Sequence, residues 1–209
     1  MTVKTIPVGL LATNCYAAYN DGSSECVLVD PGDDAERIIG KLKEYGVKPS
    51  AILITHGHFD HIWAVHEIVS EYGNVKIYAG RNENALLNDP ELNCTARCHM
   101  PMTVQPDKLL DNNEEFEAAG IGFVTMFTPG HTAGSVCYYV PERDVLFSGD
   151  TLFCNGMGRT DLPTGDESSI FRSLGVLKLL PDETKVYPGH AGDTTIGAEK
   201  ASNPYLRQC

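Results

Sequence analysis

The 209-residue chain has no run approaching the roughly 18 consecutive apolar residues of a membrane-spanning helix. Basic residues are scarce, 16 Lys and Arg against 28 Asp and Glu, for a formal net charge of −12. Such a surface repels phosphate backbones and anionic headgroups, so neither nucleic acid nor a membrane surface is an expected partner. No linker, low-complexity tract or charge block interrupts the chain, so residues 1–209 are expected to form a single domain, large enough to be stable without staples. Ile6–Ala12 is broken by Pro7 and Gly9, and reads as part of a first strand rather than as a signal peptide. The seven cysteines, at 15, 26, 94, 98, 137, 154 and 209, are odd in number and irregularly spaced. That pattern points to reduced thiols and a cytoplasmic setting, not a disulfide framework.

Short strands are expected at Val3–Val8, Cys15–Tyr19 and Cys26–Val29, with Asn20-Asp21-Gly22 as a turn. Ala35, Ile38, Ile39, Leu42 and Tyr45 share one helical face, which predicts a helix over Asp33–Tyr45 closed by Gly46. Ala51–Ile54 reads as a buried strand, Ile62–Tyr72 as a second amphipathic helix and Val75–Tyr78 as a strand. Arg81–Asp107 shows no clear period and reads as loop and short helices. Farther on, Ile121–Phe127, Val136–Val140, Val145–Phe147 and Lys185–Tyr187 are strand-like, while Ser168–Leu180 and Thr195–Ser202 are helical. Strands outnumber helices and helices interleave late, which favours an α/β sandwich over a doubly wound parallel sheet.

Residues that can bind metal follow the expected strands. Thr55-His56-Gly57-His58-Phe59-Asp60-His61 places four potential ligands within six residues directly after Ala51–Ile54. Imidazole and carboxylate are suitable donors for Zn²⁺, Fe²⁺ or Mn²⁺. Thr128-Pro129-Gly130-His131-Thr132, Ser148-Gly149-Asp150-Thr151 and Tyr187-Pro188-Gly189-His190 are weak signals singly. Together they repeat one design, a strand followed by a ligand-type side chain, as when functional groups gather on loops at one edge of a sheet.

In that order the motifs resemble the metallo-β-lactamase-fold hydrolases. Gly149-Asp150-Thr151-Leu152-Phe153 and Gly158-Arg159-Thr160-Asp161-Leu162-Pro163 narrow the resemblance to glyoxalase II-like proteins of a short type without the C-terminal helical domain. The resemblance implies an αββα sandwich, two mixed β-sheets flanked by helices, with two divalent metal ions at one sheet edge. Zinc is the expected metal, with iron or manganese as alternatives. It also implies that His56, His58 and His131 hold one ion, that Asp60, His61 and His190 hold the other, and that Asp150 bridges both. One departure is Ala191 after His190, where the family usually has glycine.

The implied activity is hydrolysis of a thioester, a 2-hydroxyacyl thiol conjugate such as a lactoyl thiol, by hydroxide formed at the metals. A bound metal lowers the pKa of water from 15.7 to about 7, roughly 12 kcal/mol of hydroxide availability, partly offset because bound hydroxide is a poorer nucleophile. Asp60 is expected to orient that hydroxide. Arg159, in a glycine-flanked loop, is expected either to bind a substrate carboxylate or to pair with Asp161. Cys154 is read either as a pocket residue or as an inert buried thiol. His66 reads as a core histidine, and Cys94, Cys98 and His99 as a weak metal or redox cluster. The alternative activity is a persulfide dioxygenase with a mononuclear Fe²⁺ on His56, His131 and Asp150. Those related proteins keep the Gly-Arg-Thr-Asp segment but usually carry Ala where this chain has Gly189.

Overall fold

Side chains of the early strands alternate between two apolar environments, and that alternation builds the layers. The computed structural model describes residues 1–209. In chain order the strands and helices are β1 (Thr2–Val8), β2 (Thr13–Tyr19), β3 (Glu25–Val29), α1 (Ala35–Tyr45), β4 (Lys48–Ile54), α2 (Phe59–Ile62), α3 (Val65–Tyr72), β5 (Lys76–Gly80) and α4 (Asn84–Leu87). There follow β6 (Lys108–Leu110), β7 (Glu115–Ala118), β8 (Ile121–Phe127), β9 (Val136–Val140), β10 (Val145–Gly149), β11 (Leu152–Phe153) and β12 (Gly156–Met157). The chain ends with α5 (Glu167–Leu177), β13 (Lys185–Pro188), β14 (Thr194–Thr195) and α6 (Ile196–Ser202).

One sheet has the order β1-β2-β3-β4-β5-β6 and the other β14-β13-β10-β9-β8-β7. Both are mixed: β3–β6 run parallel in the first, and the β10–β13 pair is parallel in the second. Cys15 and Ala17 of β2, Cys26 and Leu28 of β3, and Ile52 and Ile54 of β4 pack with Ile38 and Leu42 of α1 and with Val65 and Ile68 of α3. Their alternate neighbours Tyr16, Ala18, Val27, Val29, Ala51 and Leu53 turn the other way, onto Phe123, Tyr138 and Phe147 of the second sheet. A third layer joins Cys137, Leu146 and Val186 to Leu174 and Leu177 of α5 and Ile196 of α6. Because strand side chains alternate faces, a strand buried on both faces must be apolar at every position, as β3 and β4 nearly are. The architecture is the αββα sandwich that the resemblance implied. No helix is long and apolar enough to cross a membrane.

The expected helix over Ile62–Tyr72 is broken. Trp63 N–H is shared with Gly32 O at 3.1 Å and Ala64 N–H donates to Pro31 O at 3.0 Å, so α2 and α3 are separate pieces. The re-phased α3 buries Val65 and Ile68 and turns His66 to solvent, which corrects its reading as a core residue. Helix α1 begins at Ala35, not Asp33, because Asp34 sits at φ 49° in the left-handed region. The seven cysteines are all free.

Candidate metal centre

Because β3, β4 and β5 are parallel, their C-terminal ends open onto one edge, and β8, β10 and β13 do the same in the second sheet. The residues after these ends meet across the sandwich. After β4 come His56, His58, Asp60 and His61; after β8, His131; after β10, Asp150; after β13, His190. A bulge between Phe147 and Gly149, with Gly149 at φ 49°, breaks the register with β13 just before Asp150. Bulges of this kind re-aim side chains next to functional sites.

The donor atoms of His56, His58 and His131 lie within 4.8 Å of one another; so do those of His56, His61 and Asp150, and of Asp60, His61 and His190. Asp150 stands between the groups, with Oδ1 3.4 Å from His61 Nε2 and Oδ2 3.6 Å from His131 Nε2 and 3.5 Å from His190 Nε2. Asp60 Oδ2 is 3.6 Å from His61 Nε2 and 3.3 Å from His190 Nε2. His58 Nδ1 and His131 Nε2 face each other at 2.8 Å. All seven residues expected from the sequence therefore share one cluster.

Backbone and side-chain partners aim the rings. His61 Nδ1 meets Asp30 Oδ2 at 3.0 Å, and the same carboxylate accepts from Thr55 N–H (2.8 Å) and Thr55 Oγ1 (2.7 Å). His131 Nδ1 donates to Arg159 O at 2.7 Å. With those nitrogens engaged, the opposite ring nitrogens point into the cluster, the arrangement that orients metal-binding histidines. Thr13 Oγ1 donates to Asp60 Oδ2 at 2.8 Å. The His190 loop is tied across the sandwich, where Asn14 N–H donates to Gly189 O (2.7 Å) and Asn14 Nδ2 to Ala191 O (2.8 Å). Tyr16 Oη donates to Pro188 O at 2.6 Å.

Glu83, just after β5, is a further buried carboxylate. Its Oε1 accepts from Gly57 N–H at 2.8 Å and its Oε2 from Thr132 Oγ1 at 2.9 Å. It thus links the loop between His56 and His58 to the residue after His131. Burial pushes its carboxyl up to about 7 against these hydrogen bonds.

The residues fit divalent cations. His56 Nε2, His58 Nε2, His61 Nε2 and Asp150 Oδ1 are buried without a hydrogen-bond partner. Unsatisfied buried polar atoms are costly, and several of them within one cluster of ligand-type side chains mark a place for positive ions. Burial, reinforced by neighbouring histidines, holds His56 well below its ordinary pKa and His58 at about 3; burial also lowers His131. These three imidazoles are neutral and free to donate lone pairs. Burial opposes charge on His61 and His190 too, but Asp60 and Asp150 outweigh it and raise both. Cation binding there replaces protons.

A cavity of about 500 Å³ opens above the cluster. Leu11, Phe59, Phe153, Met157 and Leu162 give its lining an apolar part, and Cys94, Arg97, Cys98 and Arg159 also line it. Arg159 grips Asp161 through a fork of 2.6 and 2.7 Å, so the ion-pair alternative is the one found in this structure, within the cavity wall. Cys154 fits neither of its two readings. Its side chain is exposed and outside the cavity, because β11 ends at Phe153 and the chain turns outward into the β11–β12 hairpin. Cys94, Cys98 and His99 form no three-donor group.

Comparison with known proteins places these features in a family. The Metallo-beta-lactamase superfamily profile matches residues 8–190. The B3 metallo-beta-lactamase BLEG-1 superposes with a TM-score of 0.92 at 42% identity, covering 98% of this chain and 99% of its own. A di-iron-bound form of TTHA1623 gives a TM-score of 0.85 at 35% identity, with 97% and 99% covered. Hydroxyacylglutathione hydrolase GloC of Haemophilus influenzae is 34% identical over 99% of this chain and 98% of its own.

Proposed function

The chain belongs to the metallo-beta-lactamase superfamily of hydrolases, and on that premise we propose that it cleaves a thioester, a 2-hydroxyacyl thiol conjugate of the lactoyl type, with two divalent cations. The observation that carries the proposal is the seven-residue donor cluster with its buried, unpartnered atoms. His56, His58 and His131 are assigned to one ion, Asp60, His61 and His190 to the other, and Asp150 to both. Zinc, iron and manganese all suit this nitrogen and oxygen donor set. When bound, the ions supply activated water and polarise a carbonyl oxygen.

The chain's own groups do the rest. Asp60, held by Thr13, orients the attacking water. Asp30 and the Arg159 carbonyl fix the rings of His61 and His131. The apolar part of the lining packs the substrate's carbon skeleton and excludes bulk water. The water oxygen joins the acyl carbon, the carbon–sulfur bond breaks with its electron pair going to sulfur, and the water's two protons pass to solvent, leaving a carboxylate and a thiolate. A thiolate, with a conjugate-acid pKa near 8.5, needs little protonation. An amine leaving from a lactam needs a proton donor, and no carboxylic acid or tyrosine outside the cluster lines the cavity. That favours a thioester over the lactam suggested by the similarity to BLEG-1. We assign the 209 residues to one catalytic domain acting on a small molecule in the cytoplasm.

Gly189 separates this reading from a persulfide dioxygenase. A Cβ on Gly189 would fall 2.1 Å from Asp150 Oδ1 and 2.8 Å from His61 Cε1. Both side chains would have to move for the Ala usual in those dioxygenases, whereas here His61 and Asp150 stand together. The test is a substrate panel on protein of measured metal content: lactoyl thioesters, an alkyl ester, a β-lactam, and a persulfide with an oxygen electrode. Thioesters are expected to turn over fastest. Thioesters no faster than buffer, or oxygen uptake with persulfide, would overturn the proposal.

A further inference from the structure

The segment between α4 and β6 contributes nothing to the metal cluster, yet it is firmly built against the cavity. Asn93 and Thr95 are fully buried at its centre. Thr95 N–H and Oγ1 both donate to Asn93 Oδ1 (3.0 and 2.7 Å), Met102 N–H donates to Thr95 Oγ1 (3.0 Å), and Asn93 Nδ2 donates to Met102 O (2.9 Å). Phe59 N–H donates to Asn93 O at 3.0 Å, which ties the segment to α2, the helix of Asp60 and His61. This scaffold sets Arg97 in the cavity wall.

The cavity has two guanidinium groups and no lysine. Arg159 is committed to Asp161 by its bidentate fork. Arg97 makes neither a hydrogen bond nor an ion pair through its side chain, and no other cavity side chain neutralises it; the nearby thiols Cys94 and Cys98 cannot do so unless ionised. Burial raises the pKa of Cys94, which keeps that thiol protonated. Arginine presents a planar fork of donors that matches a carboxylate. The chain is −12 overall, and the charge on the cavity floor is taken up by the reacting end of the substrate, so a carboxylate held away from that end needs a cation of its own.

We propose that Arg97 is the receptor for a carboxylate on the substrate, placed away from the scissile bond. The proposal rests on the thioester reading above and narrows it to thioesters that carry such a carboxylate. The carboxylate can belong to the acyl part or to the thiol part; the apolar part of the lining packs the carbon chain that joins it to the reacting carbonyl.

The test is calorimetric binding of thioether analogues, in which the thioester carbonyl is replaced by CH₂ so that nothing is hydrolysed. Two matched pairs are used, with a carboxylate or the corresponding carboxamide on the acyl side in one pair and on the thiol side in the other. The wild-type protein is expected to bind the carboxylate at least tenfold more tightly in one of the pairs, a preference of about 1.4 kcal/mol. Arg97→Met is expected to bring that ratio within twofold while leaving carboxamide binding unchanged, and Arg97→Lys to retain part of the preference. No preference in either pair, or an undiminished one in Arg97→Met, would overturn the proposal. A preference abolished by Arg159→Met and kept by Arg97→Met would overturn it as well, and would make Arg159 the receptor. Thioesters left uncleaved while the Arg97-dependent preference persists would overturn the hydrolytic reading and leave the carboxylate receptor standing.

Discussion

Glu83→Gln should change how stability depends on pH, and the structure sets the size of the change. The carboxyl is buried, accepts from Gly57 and Thr132, and is raised from an ordinary 4.5 to about 7. The folded protein therefore holds this proton more tightly than the unfolded chain. Between pH 4.5 and 7 the unfolded state releases it first, so stability falls as pH rises. At about 1.36 kcal/mol per unit, the loss approaches roughly 3 kcal/mol by pH 7.5. Glutamine carries no charge at any pH, so the variant lacks this slope. It keeps one carbonyl acceptor but must present an amide to the second donor, which costs about 1–3 kcal/mol throughout. Urea unfolding of chelator-stripped wild type and variant, every half unit from pH 4.5 to 8, reads the difference. The gap in unfolding free energy should shift by about 3 kcal/mol in favour of the variant across the series. A gap constant within about 0.5 kcal/mol, or one that moves the other way, would refute the account of Glu83 as a buried carboxyl that loses its proton at cost.

Three further substitutions probe the cluster. Asp150→Asn keeps the size but removes the charge between the two donor groups; one metal equivalent should be lost and kcat should fall by at least about 10³, with thermal unfolding little changed, and two equivalents with activity within tenfold would contradict this. Gly189→Ala puts a methyl where Asp150 Oδ1 stands, so metal content measured by atomic absorption should fall below two per chain; unchanged content would show that the loop yields freely. Ala191 occupies φ 66°, where a Cβ costs about 1–2 kcal/mol, so Ala191→Gly should stabilise by about 0.5–1 kcal/mol after glycine's greater chain entropy is subtracted; a lower unfolding temperature would show that the strain is absent.

The ligand-type residues were legible because each follows a strand whose apolar run is itself legible. His56 to His61 are contiguous after β4, and His131, Asp150 and His190 repeat the pattern after β8, β10 and β13. The same rule would have found Asp30, which directly follows β3 and holds His61. Glu83 was not legible, because its partners Gly57 and Thr132 are distant in sequence and only packing joins them. Strands β6, β7, β11, β12 and β14 escaped detection because two to four residues are too few to show a period of two. His66 was misread because a continuous helix was extrapolated through Trp63, and the Pro31–Gly32 carbonyls that interrupt it lie on another loop. The Arg97 segment has no helical or strand period, since side chains of Asn93 and Thr95 hold it rather than a backbone ladder.

The central claim is that one cluster of seven side chains holds two cations that act together on a thioester. Its most direct test is titration of chelator-stripped protein with Zn²⁺, and separately with Fe²⁺ under argon, while bound metal and lactoyl-thioester hydrolysis are measured on the same samples. Activity is expected to rise with occupancy and to level off at two equivalents per chain. Full activity at one equivalent, or two bound ions without hydrolysis of any thioester, would contradict the claim.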